Sequence, residues 1–486
     1  MAGEENLKNK AITGVAWKFL ERIASQGVST IVSIILARIL DPAHYGLIAL
    51  VNIFTTLCNV FVVTGLGESL IQKKDADDLD FSSIFYVNVV LSLVLYALLF
   101  FSAPAIADFY GSGYEQLVPL IRVMGLRLFF AAANSIQTAK ISKAINFRKS
   151  FFATFVGTAI SGIFGISMAL GGFGVWALAA HYMVDTMVNT VTLFIVDHWV
   201  PKLQFSLKRA IALFSYGWKI LASALLNTLY AECRELLIGK VYSPDSLAFY
   251  SKGQTYPKLI TNNLNTAVAS VSFPVFSKIL GDSRATKNAL SRAIKTASFI
   301  VFPAMAGLAM ISEPFVTTLL TEKWLPCVPY MRITCLAYAV MTLSTPNLQC
   351  LNAQGYSNIY LKITLIKRAL GLVLLACVFR IGVLWIALSY LFAVVVEYLI
   401  DVIVVKKYIG YTIYEQFKDI SLNILTTAIM VVCLYVVGKL LGGLNSLLLM
   451  VIQILIGAGV YIALSALFRN DSFFYILNIL NKKKRR

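Results

Sequence analysis

Long apolar blocks alternate with short polar breaks along nearly the whole chain. The blocks fall near 15–40, 43–66, 83–107, 115–138, 151–171, 173–196, 211–241, 246–276, 291–312, 326–351, 357–379, 383–405, 419–440 and 444–468. Each has about the 20 residues that a helix needs to cross roughly 30 Å of hydrocarbon. The pattern predicts an all-α polytopic membrane protein with about fourteen transmembrane helices. The opening residues 1–14 (MAGEENLKNKAITG) read as an interfacial lead-in on the cytoplasmic side. The first block is of full spanning length and has no small-residue cleavage site, so no removable leader is expected.

Composition narrows the class. The chain has 486 residues, of which 58% are hydrophobic and 14% charged. A soluble domain carries about 25% charged residues, so most of this surface must face lipid. The net charge of +18 raises nucleic acid as a partner, but the distribution of the bases argues against it. Lys140, Lys143, Arg148 and Lys149 share one break, and Lys202, Lys208 and Arg209 another. Lys278 to Lys295, Lys406 to Lys418 and the KKKRR tail continue the series. The intervening breaks hold few bases, which is the positive-inside pattern and places both termini in the cytoplasm. The tail reads as a lipid-headgroup anchor.

Several blocks carry more polarity than lipid tolerates. In the first, Lys18, Arg22, Ser25 and Ser29 fall on one helical stripe flanked by Glu21 and Gln26. In the seventh, Lys219, Ser223, Asn227, Tyr230 and Arg234 do the same. The eighth, with Lys252, Gln254, Lys258, Asn262, Asn263 and Asn265, has little apolar face left. A base at the bilayer centre costs about 2.5–3.5 kcal/mol on insertion scales, so such faces line water or meet a partner. The expectation is a cationic, water-filled cavity for an anionic ligand, with Lys18, Arg22, Lys219, Arg234, Lys252 and Lys258 as its bases. Gln26, Asn227, Asn262 and Asn263 are its polar lining. The bland alternative is neutralisation by Glu21 and Glu235 in structural ion pairs. Intramembrane acids are also candidates for ion coupling, by H+ or Na+. They are Glu21, Asp185 in the row His181, Asp185, Asn189, and Glu397 in the pair Glu397, Asp401. Interhelical hydrogen bonding is the plainer reading of those rows.

The chain also repeats. Trp17-Lys18 followed by Pro42 matches Trp218-Lys219 followed by Pro244. Gly174-Val175 with Tyr182 matches Gly382-Val383 with Tyr390. Helices six apart keep the same orientation, so the repeats are parallel, and a substrate site is expected between the halves. The division read from this is 1–14 lead-in, 15–210 first lobe, 211–410 second lobe, and 411–486 an appended helix pair with the basic tail.

Other chemistry is sparse. The seven cysteines lie mostly inside apolar blocks and read as packing residues. His44, His181 and His198 are too scattered for a metal site. Asp75, Asp77, Asp78 and Asp80 read as a solvated cytoplasmic connector. No nucleophile–base arrangement or phosphate-cradling glycine loop stands out, so no catalytic residue, metal or cofactor is expected.

The stretch Ala37-Arg38-Ile39-Leu40-Asp41-Pro42 with Tyr45-Gly46-Leu47 resembles the opening of the polysaccharide transporter family. That family belongs to the multidrug/oligosaccharidyl-lipid/polysaccharide exporter (MOP) superfamily. IGKVYSPDSLAFYSKGQTYPKLI and SVSFPVFSK, within Leu237–Lys278, are similar to its colanic-acid-type exporters. The resemblance implies two six-helix bundles around a central cavity, with helices 13 and 14 added. It implies a flippase, not an enzyme, moving undecaprenyl-diphosphate-linked oligosaccharide across the bacterial cytoplasmic (inner) membrane by alternating access. Capsule, exopolysaccharide, lipopolysaccharide and O-antigen assembly are the implied uses. Membrane lipids and a polysaccharide polymerase are the implied partners. The rivals are an ion-coupled multidrug exporter, which a basic cavity disfavours, and a membrane polymerase or glycosyltransferase, which the short outward loops disfavour.

Overall fold

The computed structural model describes residues 2–111, 113–279 and 282–484. Regular structure among them is entirely helical. The helices are α1 (Ala2–Ile39), α2 (Pro42–Val63), α3 (Leu66–Gln72), α4 (Asp78–Tyr110), α5 (Leu117–Gly125), α6 (Arg127–Ala144), α7 (Phe147–Leu170), α8 (Val175–Asp197) and α9 (Leu207–Val241). They continue with α10 (Pro244–Lys278), α11 (Ser283–Met310), α12 (Ser312–Leu319), α13 (Val328–Ala353), α14 (Ser357–Val378), α15 (Val383–Ile409), α16 (Ile413–Leu440), α17 (Ser446–Leu467) and α18 (Asp471–Lys484). The side chains of the KKKRR tail lie outside the described residues.

Among the described residues, eleven helical segments are long and apolar enough to span a bilayer, or twelve when the bent α9 is counted as one span. The chain is a multi-pass membrane protein. The two expected spans that fall short are α10 and α14. Lys252, Lys258 and four amide side chains dilute α10, and Lys362, Lys367 and Arg368 dilute α14. All fourteen expected blocks are helical, but α10 and α14 do not qualify as spans by length and hydropathy.

By contact the chain divides into one unit of residues 1–248 and another of 249–486. In the first, α7 packs along both α1 and α8, and α9 lies against α2, α3 and α4. Its helices are inside-out by the standard of soluble proteins. On α4, Val90, Leu93, Val94, Leu98 and Phe101 face outward, whereas Asn88 and Ser92 are buried. Asn88 donates to the Val62 carbonyl and to Ser135 Oγ, each at 3.1 Å. A lipid-facing apolar stripe opposite a hydrogen-bonded polar interior is the arrangement a bilayer selects.

Two glycines set the close approaches. Gly65, at φ +91°, breaks the second span between α2 and α3, a conformation L side chains rarely adopt. Gly217 of α9 crosses there, and a Cβ on it would stand 2.6 Å from the Gly65 carbonyl oxygen. The buried Ala210 and Leu213 of α9 join Leu66, Leu70, Phe81 and Ile84 in one core cluster.

The acidic connector is not simply solvated, contrary to expectation. Arg209 Nη1 lies 2.6 Å from Asp77, Lys202 Nζ 2.6 Å from Asp78, and Lys73 Nζ 2.6 Å from the buried Asp80. Asp77 also caps α4 by accepting from the Asp80 N–H. The four-carboxylate run attracts the bases of the 198–209 segment, because unpaired like charges so close together repel. The Arg209 guanidinium, then the Asp80 N–H, hold the Asp77 carboxyl down at about 2. Lys140 and Lys149 converge on Asp197 at 3.2 and 2.8 Å. The bases assigned to one membrane side by sequence are thus gathered at one end of the unit.

In the second unit α13 packs on α11 and α15, α11 on α16, and α16 on α17. Asn347 bridges to Gln416, Asn423 to Ser298, and Tyr461 to the Phe299 carbonyl. These bonds attach the α16–α17 pair to α11 and α13. Local landmarks of the repeat recur too. Pro42 and Pro244 open α2 and α10, where the missing N–H costs no helical bond. Gly174 and Gly382 stand at the N-caps of α8 and α15.

Candidate functional site

The polar stripe of α1 separates into an inner and an outer part. Glu21 is buried, accepts from Lys18 Nζ at 3.0 Å and from Thr154 Oγ1 of α7 at 3.3 Å. Aromatic contact of Trp17 with Phe151, at 5.4 Å between centroids, fixes this rotation of α1 on α7. Lys18 and Arg22 remain exposed, and Gln26 is half-buried. Lys18 is therefore partly neutralised by its neighbour, while Arg22 makes no ion pair among the described residues. A base that is open to its surroundings and uncompensated is suited to an anion.

On α9, Lys219 and Asn227 are exposed. Arg234 is buried, with its guanidinium 5.1 Å from the Tyr230 ring and Nη2 3.4 Å from the Tyr230 hydroxyl. On α10, Lys252 is buried with Nζ 5.5 Å from the Trp324 ring, itself fully buried. Attraction of an ammonium to an indole face offsets part of its desolvation. Lys258 and Asn262 are exposed, and Asn263 donates to the Leu259 carbonyl at 3.0 Å. The candidate bases thus fall into two kinds. Lys18, Arg22, Lys219 and Lys258 present their charge outward, while Arg234 and Lys252 hold theirs against aromatic rings.

Asp185 has a different setting. The row His181, Asp185, Asn189 on α8 faces a matching row Gly157, Ser161, Gly165 on α7. A Cβ on Gly165 would lie 2.8 Å from His181 Cβ, and one on Gly157 3.1 Å from Asn189 Cβ. Thr158 and Ser161 hydroxyls reach the Asp185 carboxylate at 3.4 Å each. Asp185 also borders a cavity that includes Arg127 of α6. Glu397, half-buried on α15, sits one turn before Asp401, whose carboxylate lies 2.5 Å from Lys367 Nζ of α14.

Arg127 and Lys367 escaped the sequence reading. The available signal was the presence of each base inside an apolar block, at a depth where a partner is obligatory. The acids Asp185, which shares a cavity with Arg127, and Asp401, which pairs with Lys367, were visible, but no helical spacing links residues on different helices.

A family profile described as "Polysaccharide biosynthesis protein" matches residues 35–329. The chain belongs to that family. Teichuronic acid biosynthesis protein TuaB of Bacillus subtilis (strain 168) is 24% identical over 431 residues, covering 87% of this chain and 88% of TuaB. Lipopolysaccharide biosynthesis protein WzxC of Escherichia coli (strain K12) is 22% identical over 426 residues, 85% of this chain and 84% of WzxC. Succinoglycan biosynthesis transport protein ExoT of Rhizobium meliloti (strain 1021) is 24% identical over 68% of this chain and 67% of its own length.

Among solved structures, the lipid II flippase MurJ in an inward closed conformation is similar with a TM-score of 0.75 at 18% identity, covering 95% of this chain and 99% of that one. An inward-facing multidrug resistance MATE transporter of the MOP superfamily is similar with a TM-score of 0.59 at 13% identity, covering 79% and 98%. This member of the polysaccharide biosynthesis family therefore shares the fold of these two solved structures, and the expected family is the observed one. Arg127, Asp185, Arg234 and Lys252 fall within the matched segment. Lys18 and Arg22 precede it, and Lys367, Glu397 and Asp401 follow it.

Proposed function

We propose that this chain is a flippase that carries undecaprenyl-diphosphate-linked oligosaccharide across the bacterial cytoplasmic membrane by alternating access. Membership of the polysaccharide biosynthesis family is the observation that carries the reading. The named functions of its relatives in succinoglycan, teichuronic acid and lipopolysaccharide assembly agree with it, and so does the fold shared with a lipid flippase. The chemistry required is binding and release, not bond cleavage. Exposed Arg22 and Lys219 suit a diphosphate, which guanidinium and ammonium groups replace in part for lost water. Lys18, Lys258 and, after rearrangement, Arg234 and Lys252 would add to this field, with Gln26, Asn227, Asn262 and Asn263 as neutral donors.

The same reading retains fourteen spans as two six-helix repeats, 15–210 and 211–410, and an appended pair within 411–486. It keeps both termini in the cytoplasm. The helix ends that gather Lys73, Lys140, Lys149, Lys202 and Arg209 support that orientation. Glu21, Asp185 and Glu397 remain the acids for coupling to H+ or Na+, and a polysaccharide polymerase is the proposed consumer of the flipped lipid. A substrate shifts the inward–outward equilibrium only by its differential affinity for the two states.

The test is translocation of fluorescent undecaprenyl-diphosphate oligosaccharide in proteoliposomes by wild type, Arg22→Ala and Arg234→Ala. Transport by wild type that weakens in Arg22→Ala supports the cationic site. Undiminished transport in both variants retains the flippase and removes these arginines from it. No movement of the lipid, with ion-driven export of small cations instead, selects the multidrug reading.

A further inference from the structure

Within the first unit, α2, α3, α6 and α8 line an open cavity of about 420 Å³ that the diphosphate chemistry above does not use. Its walls are rich in neutral hydrogen-bonding groups: Thr56, Asn59, Asn134, Thr138, Thr186 and Asn189. Part of this wall is prearranged. Asn134 Nδ2 donates to Asn189 Oδ1 at 2.8 Å, Thr138 Oγ1 donates to Asn134 Oδ1 at 3.1 Å, and Arg127 Nε donates to Thr186 Oγ1 at 3.1 Å. Asn59 Oδ1 is the exception, a buried acceptor with no hydrogen-bond partner among the described residues. Buried acceptors are normally satisfied, so this one marks a place for a donor.

Charge excludes a second diphosphate site. The lining holds one base, Arg127, against two acids, Asp185 and Glu68. Its size suits an organic ligand, since about 300–1,000 Å³ is the range of pockets that enclose such molecules. Val63, Ile71, Leu128 and Ala131 interleave with the polar groups. Amides and hydroxyls beside small apolar patches match the two characters of a pyranose, whose hydroxyls need paired donors and acceptors while its C–H face is apolar.

We infer that this cavity is a saccharide subsite that takes uncharged, hydroxyl-bearing sugar residues of the lipid-linked substrate. The inference rests on the flippase reading and divides the labour of recognition. Bases on other helices meet the diphosphate, and the α2–α6–α8 cavity meets the glycan. Because Asn and Thr side chains left without a sugar partner lose their bonds, a lipid lacking the sugar should be disfavoured here more than a mismatch in an apolar pocket would be.

The test measures binding of two probes to the full chain in nanodiscs. One is undecaprenyl diphosphate without sugar. The other is the lipid-linked oligosaccharide extracted from the cells that make this protein. Wild type should bind the sugar-bearing lipid more tightly by about tenfold, as a few net hydrogen bonds require. The shape-conserving triple variant Thr56→Val, Asn59→Leu, Thr138→Val should lose that preference while binding the bare lipid as wild type does. Thr138→Val alone, at an exposed hydroxyl, should lose part of it. Equal affinity of wild type for both lipids would overturn the subsite and leave the flippase standing, and so would an undiminished preference in folded triple and single variants. Sodium-dependent stabilisation that vanishes in Asp185→Asn, without any sugar preference, would make the cavity an ion site instead. Failure of wild type to bind either lipid would overturn the flippase reading itself.

Discussion

Lys367 of α14 and Asp401 of α15 form an ion pair with Nζ 2.5 Å from Oδ1, their side chains only 6% and 0% exposed. Neither residue can be removed alone without leaving the other charge buried and unpaired. Lys367→Met is expected to destabilise the protein by about 3–5 kcal/mol, and Asp401→Leu similarly. The double variant should recover most of the loss. Thermal unfolding of the four proteins in detergent checks this, and additive effects of the two substitutions would show that the pair is not a coupled unit.

The α7–α8 seam depends on absent side chains. Gly165→Ala places a methyl group 2.8 Å from His181 Cβ, and overpacking of this kind costs about 1–3 kcal/mol. Gly165→Leu should prevent the two helices from closing and abolish the folded protein. Yield of monodisperse protein and its melting temperature report both. Gly443→Ala, where an added Cβ meets nothing within 4 Å, serves as the control and should behave as wild type.

Gly46 and Pro244 make a similar prediction where α2 meets the start of α10. A Cβ on Gly46 would overlap the Pro244 carbonyl and stand 2.8 Å from its Cα. Gly46→Ala should therefore loosen α9 and α10 from α2. Faster proteolysis in the 239–246 segment, with helix content retained by circular dichroism, is the expected signature.

The clasp of Asp77 on Arg209 should appear in the pH dependence of stability. The Asp77 carboxyl sits near 2 in the folded protein, below the roughly 3.9 of an unfolded aspartate. Its contribution is then present above pH of about 4 and is lost as the pH falls toward 2. Asp77→Asn should flatten the acid limb of a stability profile taken between pH 6 and 3. An unchanged limb would mean that the clasp contributes nothing to folding, as is common for exposed pairs.

The apolar blocks made the helices legible, and Pro42 and Pro244 marked the α1–α2 and α9–α10 junctions. The polar stripe on α1 was visible from helical spacing. Its division into a buried Glu21 and an open Arg22 was not, because that depends on where Thr154 and Phe151 of α7 lie. The acids Asp185 and Asp401 stood out as costly in a bilayer. Arg127, across a cavity from Asp185, and Lys367, the ion-pair partner of Asp401, stood out less, since each is one base among 42 lysines and arginines. Pairing between helices is a property of packing, and periodicity within one helix carries no trace of it. For the same reason the 75–80 carboxylates looked like a solvated loop until Lys202 and Arg209 were seen beside them.

The placement of α9 bears on how the chain can be assembled. The sequence reading has it open the second lobe, yet its head sits in the cluster of Leu66, Phe81 and Ile84, and Tyr114 Oη lies 3.4 Å from the Gly239 carbonyl near its end. A ribosome that has delivered only the first six spans has therefore not yet delivered a finished first unit. The groove over Gly65 and Gly46 stays open until residues to about 248 have entered the membrane. A chain severed in the 198–206 segment would release a leading fragment with that groove uncovered, whereas a cut after residue 278 would leave it filled.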